Sequence, residues 1–237
     1  MNIFKKNKNT LKFGKVYEDF LDVVPMKKMI PQWYKNVPSK IYDTDIWNAN
    51  TAKACMPFLD TFMTGYAIVS PVDIMVGKHN EDIDNNESPL LFSWSNNQIL
   101  VVKTRDNKPM PTLPIPQEYN QNHYVWIMPC SLEAPKGYSL LITHPLNRFD
   151  LPFTTLTGII DDFKMPAGQT PVLFKNNFSG IIPAGTPIAQ IIPFKREDWI
   201  IKEDKNLYFD ADIIGKKARN VMSGFYKNNF WNKKNYN

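Results

Sequence analysis

At 237 residues and 43% hydrophobic content the chain is long enough to bury a full core without disulfides, and no apolar run approaches the roughly 20 residues of a membrane-spanning helix. The N-terminus MNIFKKNKNT lacks the apolar stretch and cleavage site of a secretory signal, and Cys55 and Cys130 belong to no CxxC or Cys/His spacing, so a disulfide framework and a zinc site are disfavoured and a reducing cytoplasm is expected. The net charge of +5 is unevenly placed: residues 1–16 and 213–237 carry eleven basic and no acidic side chains, against 17 basic and 23 acidic between them, so the ends read as solvated tails or as contacts for nucleic acid or an acidic neighbouring protein.

Along the chain, VYEDFLDVVPMKKMIPQWYKNVP (16–38) combines aromatic and apolar residues with three prolines and predicts short helical pieces and extended chain. TAKACMPFLDTFMTG (51–65) predicts a helix. Thr51 can cap it, Cys55, Phe58, Leu59, Phe62 and Met63 recur at helical spacing, and Gly65 can stop it, with Pro57 implying a kink or a late start. From Tyr66 the texture turns to β: YAIVSPVDIMV, PLLFSW, QILVVKT, HYVWIMP, YSLLIT, FTTLTGII, TPVLF, FSGIIPAG and PIAQIIPF are short strand-like runs separated by turn residues. This pattern predicts a mainly β fold of the sandwich, jelly-roll or barrel kind. The expected organisation is an N-terminal extension of short helices over 1–65, with Trp33, Tyr34 and Trp47 covering the β structure or a subunit interface. A β-barrel over 66–200 and a basic C-terminal helix or arm over 201–237 follow.

Chemistry-bearing residues are sparse. The acidic loop KHNEDIDNNESP (78–89) alternates Asp82, Asp84 and Asn86 but lacks the glycine and distal glutamate of a calcium loop. His79, His123 and His144 are scattered, which gives a metal-holding cupin-like sandwich little support, and only His144 stands where a strand gives way to a loop. No Gly-x-Ser-x-Gly or Cys/His pairing suggests a nucleophile. Asp161 and Asp162 follow GII, read as a buried strand; alternation lets at most one of them face a pocket, where it can orient a water, and both also suit a polar turn. In GIIPAGTPIAQIIPF, Gly185 permits positive φ and a tight reversal between two strands. Pro187 and Pro193 predict an edge strand, and Gln190 needs a partner if it points inward.

Two of these segments, GIID (Gly158 to Asp161) and GTPIAQ (Gly185 to Gln190), in this order and spacing, resemble the dUTPase and dCTP deaminase superfamily. The resemblance covers about Tyr138 to Phe194 and implies a dUTPase-like β-barrel or jelly roll assembled as a homotrimer. It places the water-orienting aspartate at Asp161 and Mg2+ on the phosphates, and on that reading Asp162, Phe163, His144 and Gln190 are the candidate nucleotide-binding residues. The departures are equally specific. The family's Arg-Ser phosphate motif is absent before GIID, and Arg148 lies too close to Asp161 to replace it. Phe163 stands near the family's aromatic position out of register, and the glycine-rich C-terminal arm is missing. Two readings follow: a non-catalytic structural or interaction module, similar in its compact Asn/Lys-rich style to bacteriophage proteins and placed in the host cytoplasm or the virion, or a nucleoside triphosphate pyrophosphatase using Asp161.

Overall fold

The computed structural model describes residues 9–18, 23–41, 49–78, 89–96, 98–105, 112–164, 168–219 and 224–236. Trp47, His79 and the acidic loop between Lys78 and Pro89 lie outside the described residues. In chain order the strands are β1 (Lys12–Lys15), β2 (Val23–Pro25), β3 (Lys40–Ile41), β4 (Ala49–Asn50), β5 (Tyr66–Val69), β6 (Ile74–Gly77), β7 (Leu91–Ser93), β8 (Val102–Arg105), β9 (His123–Ile127), β10 (Cys130–Glu133), β11 (Tyr138–Thr143), β12 (Phe153–Thr155), β13 (Gly158–Ile160), β14 (Asp162–Phe163), β15 (Gln169–Phe174), β16 (Gly180–Ile182) and β17 (Pro187–Lys195). The helices are α1 (Gln32–Asn36), α2 (Met56–Met63), α3 (Leu207–Arg219) and α4 (Phe225–Asn229).

Antiparallel pairing builds sheets in the orders β13-β11-β17-β5-β2, β12-β15-β9-β8, β1-β10-β14 and β16-β6-β7, with β3 and β4 as a separate pair. The fold is therefore mainly β. Among the described residues these sheets stay separate rather than closing into one hydrogen-bonded ring. Alternate residues from the four larger sheets meet in one core that includes Ile68, Ile74, Trp126, Leu132, Leu140, Ile142, Phe174 and Ile191. Trp126 packs edge-on against Phe153 and Phe174 at 5.0 and 5.3 Å. Each such buried side chain contributes about 1.5–3 kcal/mol of apolar burial.

The outer face of β5 and β2 holds a second buried group, Val24, Met26, Ala67 and Val69. The 3₁₀ turn Met26–Lys28 packs against α2. Trp33 and Tyr34 stack on Phe58 and Phe62 of α2, with Tyr34 and Phe62 at 4.8 Å. Thr51 caps as its sequence position suggests, its Oγ1 accepting from Lys53 N–H at 3.2 Å. It caps a 3₁₀ turn at Ala52–Ala54, and α2 begins only at Met56, so Pro57 sits in its first turn, where a missing N–H is harmless.

Three sequence expectations are corrected. β17 is not an edge strand but the centre of a five-stranded sheet, paired with β11 and β5. Pro187 opens the β5 pairing at an irregularity and Pro193 lies beyond its last pair at Ile191, so both missing donors fall at its limits. The turn at Pro183–Gly185 does reverse the chain, with Gly185 at φ 79°, but it joins no hairpin, because β16 pairs with β6 in another sheet. Finally, the GII strand is not buried: β13 is an edge strand and Ile159 is 65% exposed.

Candidate functional site

β11 organises the surroundings of Asp161. Leu140 stands opposite Ile160 of β13 and Pro193 of β17, and Leu141 opposite Ile159 and Ile192. Leu140 and Ile142 enter the core, so Ser139, Leu141 and Thr143 take the other face. Asp161 is the first residue past β13 and Arg196 the first past β17, which brings both to the Ser139 end of β11. The Ser139 hydroxyl donates to Asp161 Oδ1 at 2.7 Å, and Arg196 Nη1 lies 3.3 Å from the same oxygen. Arg196 N–H donates to the Gly137 carbonyl at 2.8 Å. With the Asp161 and Arg196 side chains 69% and 51% exposed, water screens the pair to under about 1 kcal/mol.

The chain changes sheets at Asp161. β14 leaves to pair with β10, Asp162 opposite Glu133 and Phe163 opposite Leu132. Asp162 is bridged to Lys164 at 3.5 Å. The two neighbouring carboxylates thus belong to different surroundings.

His144 and Gln190 gather at the other end of β11. From Ser139 to Thr143 is about 14 Å at roughly 3.4 Å per residue, beyond direct contact with Asp161. His144 Nδ1 accepts from Thr155 N–H at 3.3 Å, which leaves the proton on Nε2 to donate to the Arg148 carbonyl at 3.0 Å. Burial pushes its pKa below the ordinary histidine value, the Arg148 carbonyl pulling the other way and the Arg148 charge adding to the fall. Gln190 is fully buried and uses both ends: Nε2 donates to the Thr61 and Thr64 carbonyls at 3.0 and 2.7 Å, and Oε1 accepts from Leu146 N–H at 2.8 Å. It ties the end of α2 and the loop after β11 to β17. In that loop Asn147, at φ 60°, donates to Thr61 Oγ1 at 2.7 Å.

Two clusters escaped the sequence reading. Arg148 grips Asp150 through Nε and Nη2 at 2.8 and 2.9 Å, and the Trp33 indole adds a longer contact at 3.4 Å. Burial raises the Asp150 carboxyl, but these partners outweigh it and leave the carboxyl below its ordinary range. On α2, Asp60 receives the end of the chain: Lys234 Nζ at 2.6 Å, Trp231 Nε1 at 3.1 Å, and the Tyr236 hydroxyl. An Arg-x-Asp spacing signals the first cluster in the sequence. Nothing local signals the second.

No protein-family model and no curated protein matches the chain. Among solved structures it is similar to a mutant dUTPase of Staphylococcus bacteriophage 80alpha with dUpNHpp, at 13% identity and a TM-score of 0.36, covering 84% of this chain and 89% of that one. It is also similar to a mutant dUTPase of phage phi11 of S. aureus (12%, TM-score 0.34, 83% and 97% covered) and to the native EIAV dUTPase (10%, TM-score 0.31, 83% and 98% covered). These are proteins of the kind that the GIID and GTPIAQ segments resemble.

Proposed function

We propose that the chain is a non-catalytic interaction module on a divergent dUTPase-like β fold, encoded by a bacteriophage and acting in the host cytoplasm or the virion. The observation that carries this reading is the arm after β17. Trp199, Ile200 and Ile201 are 83, 92 and 99% exposed, and α3 buries none of its residues although it presents Leu207, Tyr208, Phe209 and Ile213. Soluble monomers rarely leave apolar patches beyond a few hundred Å2 uncovered. Seven such side chains approach the roughly 800 Å2 that one partner buries in a stable interface. The partner is a neighbouring copy, and the trimer is the assembly implied by the resemblance. The native mass of the full chain should equal three chains, and Trp199→Ser with Ile200→Ser and Ile201→Ser should reduce it to one. A monomeric parent protein removes the interaction reading in this form.

A second reading has one observation in its favour. Both contacts to Asp161 fall on Oδ1 of a side chain that is 69% exposed, and Oδ2 takes part in neither. A nucleoside triphosphate pyrophosphatase would use that oxygen to orient water. The described residues contain no cluster of three His, Cys, Asp or Glu side chains fit to hold a metal, so Mg2+ would arrive on the substrate phosphates. Incubation with dUTP and the four common deoxynucleoside triphosphates, read as pyrophosphate release, separates the readings. The interaction module yields none, whereas turnover lost in Asp161→Asn establishes the enzyme.

A further inference from the structure

A groove of about 550 Å3 runs between the β3–β4 region with the start of α2 on one side and α4 on the other. Its size falls within the range of ligand sites. Lys40, Lys53, Asn50 and Cys55 line one wall, and Tyr226 and Lys227 the other, and no acidic side chain is among its described lining residues. We propose that this groove binds the phosphate backbone of a single-stranded nucleic acid, with a base stacked on Tyr226. The site is separate from Asp161 and goes beyond the oligomeric reading of the arm.

Two features make the groove a built one. Lys53 is a fixed charge: its Nζ donates to the Tyr34 and Lys35 carbonyls at 3.1 and 2.8 Å and lies 5.1 Å over the Tyr34 ring. Lys40 and Lys227 meet no acidic partner among the described residues, so their charge is available to a ligand. The α4 wall is held in place by the tail that follows it, since Trp231, Lys234 and Tyr236 close on Asp60. That contact also neutralises the carboxylate on α2. Three lysines alone suit any polyanion. The aromatic wall narrows the choice: Tyr226 packs on Phe230 at 6.2 Å yet stays 49% exposed, and a base can stack on that exposed ring surface where an acidic peptide does not use it. The groove is open to solvent, as a continuous strand requires.

The test is fluorescence anisotropy of a labelled oligothymidylate on the full chain across a salt series. Lys40→Glu with Lys227→Glu should weaken binding at least about tenfold and flatten the salt dependence, each lost phosphate contact removing about 0.7 from the log–log slope. Tyr226→Ala should cost about tenfold and Tyr226→Phe little, because stacking needs only the ring. The matched charge change Lys103→Glu with Lys136→Glu, on exposed positions elsewhere, should leave the groove's contribution intact. The inference is overturned if the groove and control variants bind alike. It is equally overturned if poly-glutamate competes as well as the oligonucleotide and Tyr226→Ala has no effect, which would assign the groove to an acidic peptide.

Discussion

Lys234, near the end of the chain, places its ammonium 2.6 Å from Asp60 Oδ2 on α2, in a site where the Asp60 side chain is only 15% exposed. Together with Trp231 and Tyr236 this contact makes one carboxylate the anchor of the whole C-terminal tail. Burial raises the Asp60 carboxyl, but the Lys234, Tyr236 and Trp231 hydrogen bonds outweigh it and hold the group below its ordinary range. Burial first, then the hydrogen bond and charge of Asp60, push Tyr236 up to about 12.

The sign of the pH dependence follows. A depressed carboxylate stabilises the docked tail above its ordinary pKa of about 3.9, and that contribution is lost as pH falls through the lowered value. A raised phenol stabilises it below about 10, and this is lost as pH rises through the shifted value. The tail should stay docked between these limits and open at either extreme. Asp60→Asn should release it at neutral pH, at a cost of about 1–3 kcal/mol. Limited proteolysis or hydrogen exchange over 224–236 reads the release directly, and unchanged protection in Asp60→Asn would contradict the anchor.

Gln190→Leu fills a similar volume but orphans the Thr61 and Thr64 carbonyls and the Leu146 N–H at once. Leaving such groups unpaired costs about 1–3 kcal/mol apiece where water cannot reach them. Thr61 and Thr64 are only half-buried, so water offsets part of that sum, and the variant should lose about 2–4 kcal/mol and melt roughly 5–15 °C lower. A melting temperature within about 1 °C of the parent protein would show that solvent replaces Gln190 in these contacts.

How much of this was legible follows from where each signal resides. Most strands from Tyr66 to Lys195 show themselves because their apolar residues fill one core, whereas β10 (CSLE) and β14 (DF) are too short to stand out as apolar runs. β1 does not, since all four of its residues are exposed and only backbone pairing with β10 defines it. The central place of β17 was hidden by its prolines, whose meaning depends on where the neighbouring strand stops. Gln190 was legible as a polar group needing partners. That its partners are the carbonyls of α2 was not, because they lie 129 and 126 residues away. Asp60 and its tail are separated by more than 170 residues, and no local pattern links them.

His144 should remain neutral below the ordinary histidine pKa of about 6.5, because burial pushes its pKa down. Its ring is half-buried, and both nitrogens are engaged in a geometry that only the Nε2–H tautomer satisfies. A depressed histidine contributes stability above its ordinary pKa and loses it as pH falls through the lowered value. Nitrogen-resolved NMR should show Nε2 protonated and Nδ1 bare at neutral pH, with a titration midpoint below that of a free histidine. A midpoint at or above about 6.5 would mean that the ring is free to act as an ordinary base.

Gly65 and Gly137 separate two costs that a glycine can hide. Both have left-handed backbones, at φ 73° and 83°. Around Gly137 a methyl group meets nothing within 4 Å, so Gly137→Ala should cost only the conformational strain, about 1–2 kcal/mol. At Gly65 the same methyl would lie 2.0 Å from the Ile191 carbonyl oxygen of β17, a backbone atom that cannot swing aside. Relief would have to come from moving the α2–β5 junction away from the central strand, which also carries the Gln190 contacts. Gly65→Ala should therefore cost several kcal/mol, of the size reserved for backbone clashes in a core. Paired thermal or urea unfolding of the two variants measures the difference. Equal losses would mean that β5 and β17 are not held in close approach at Gly65.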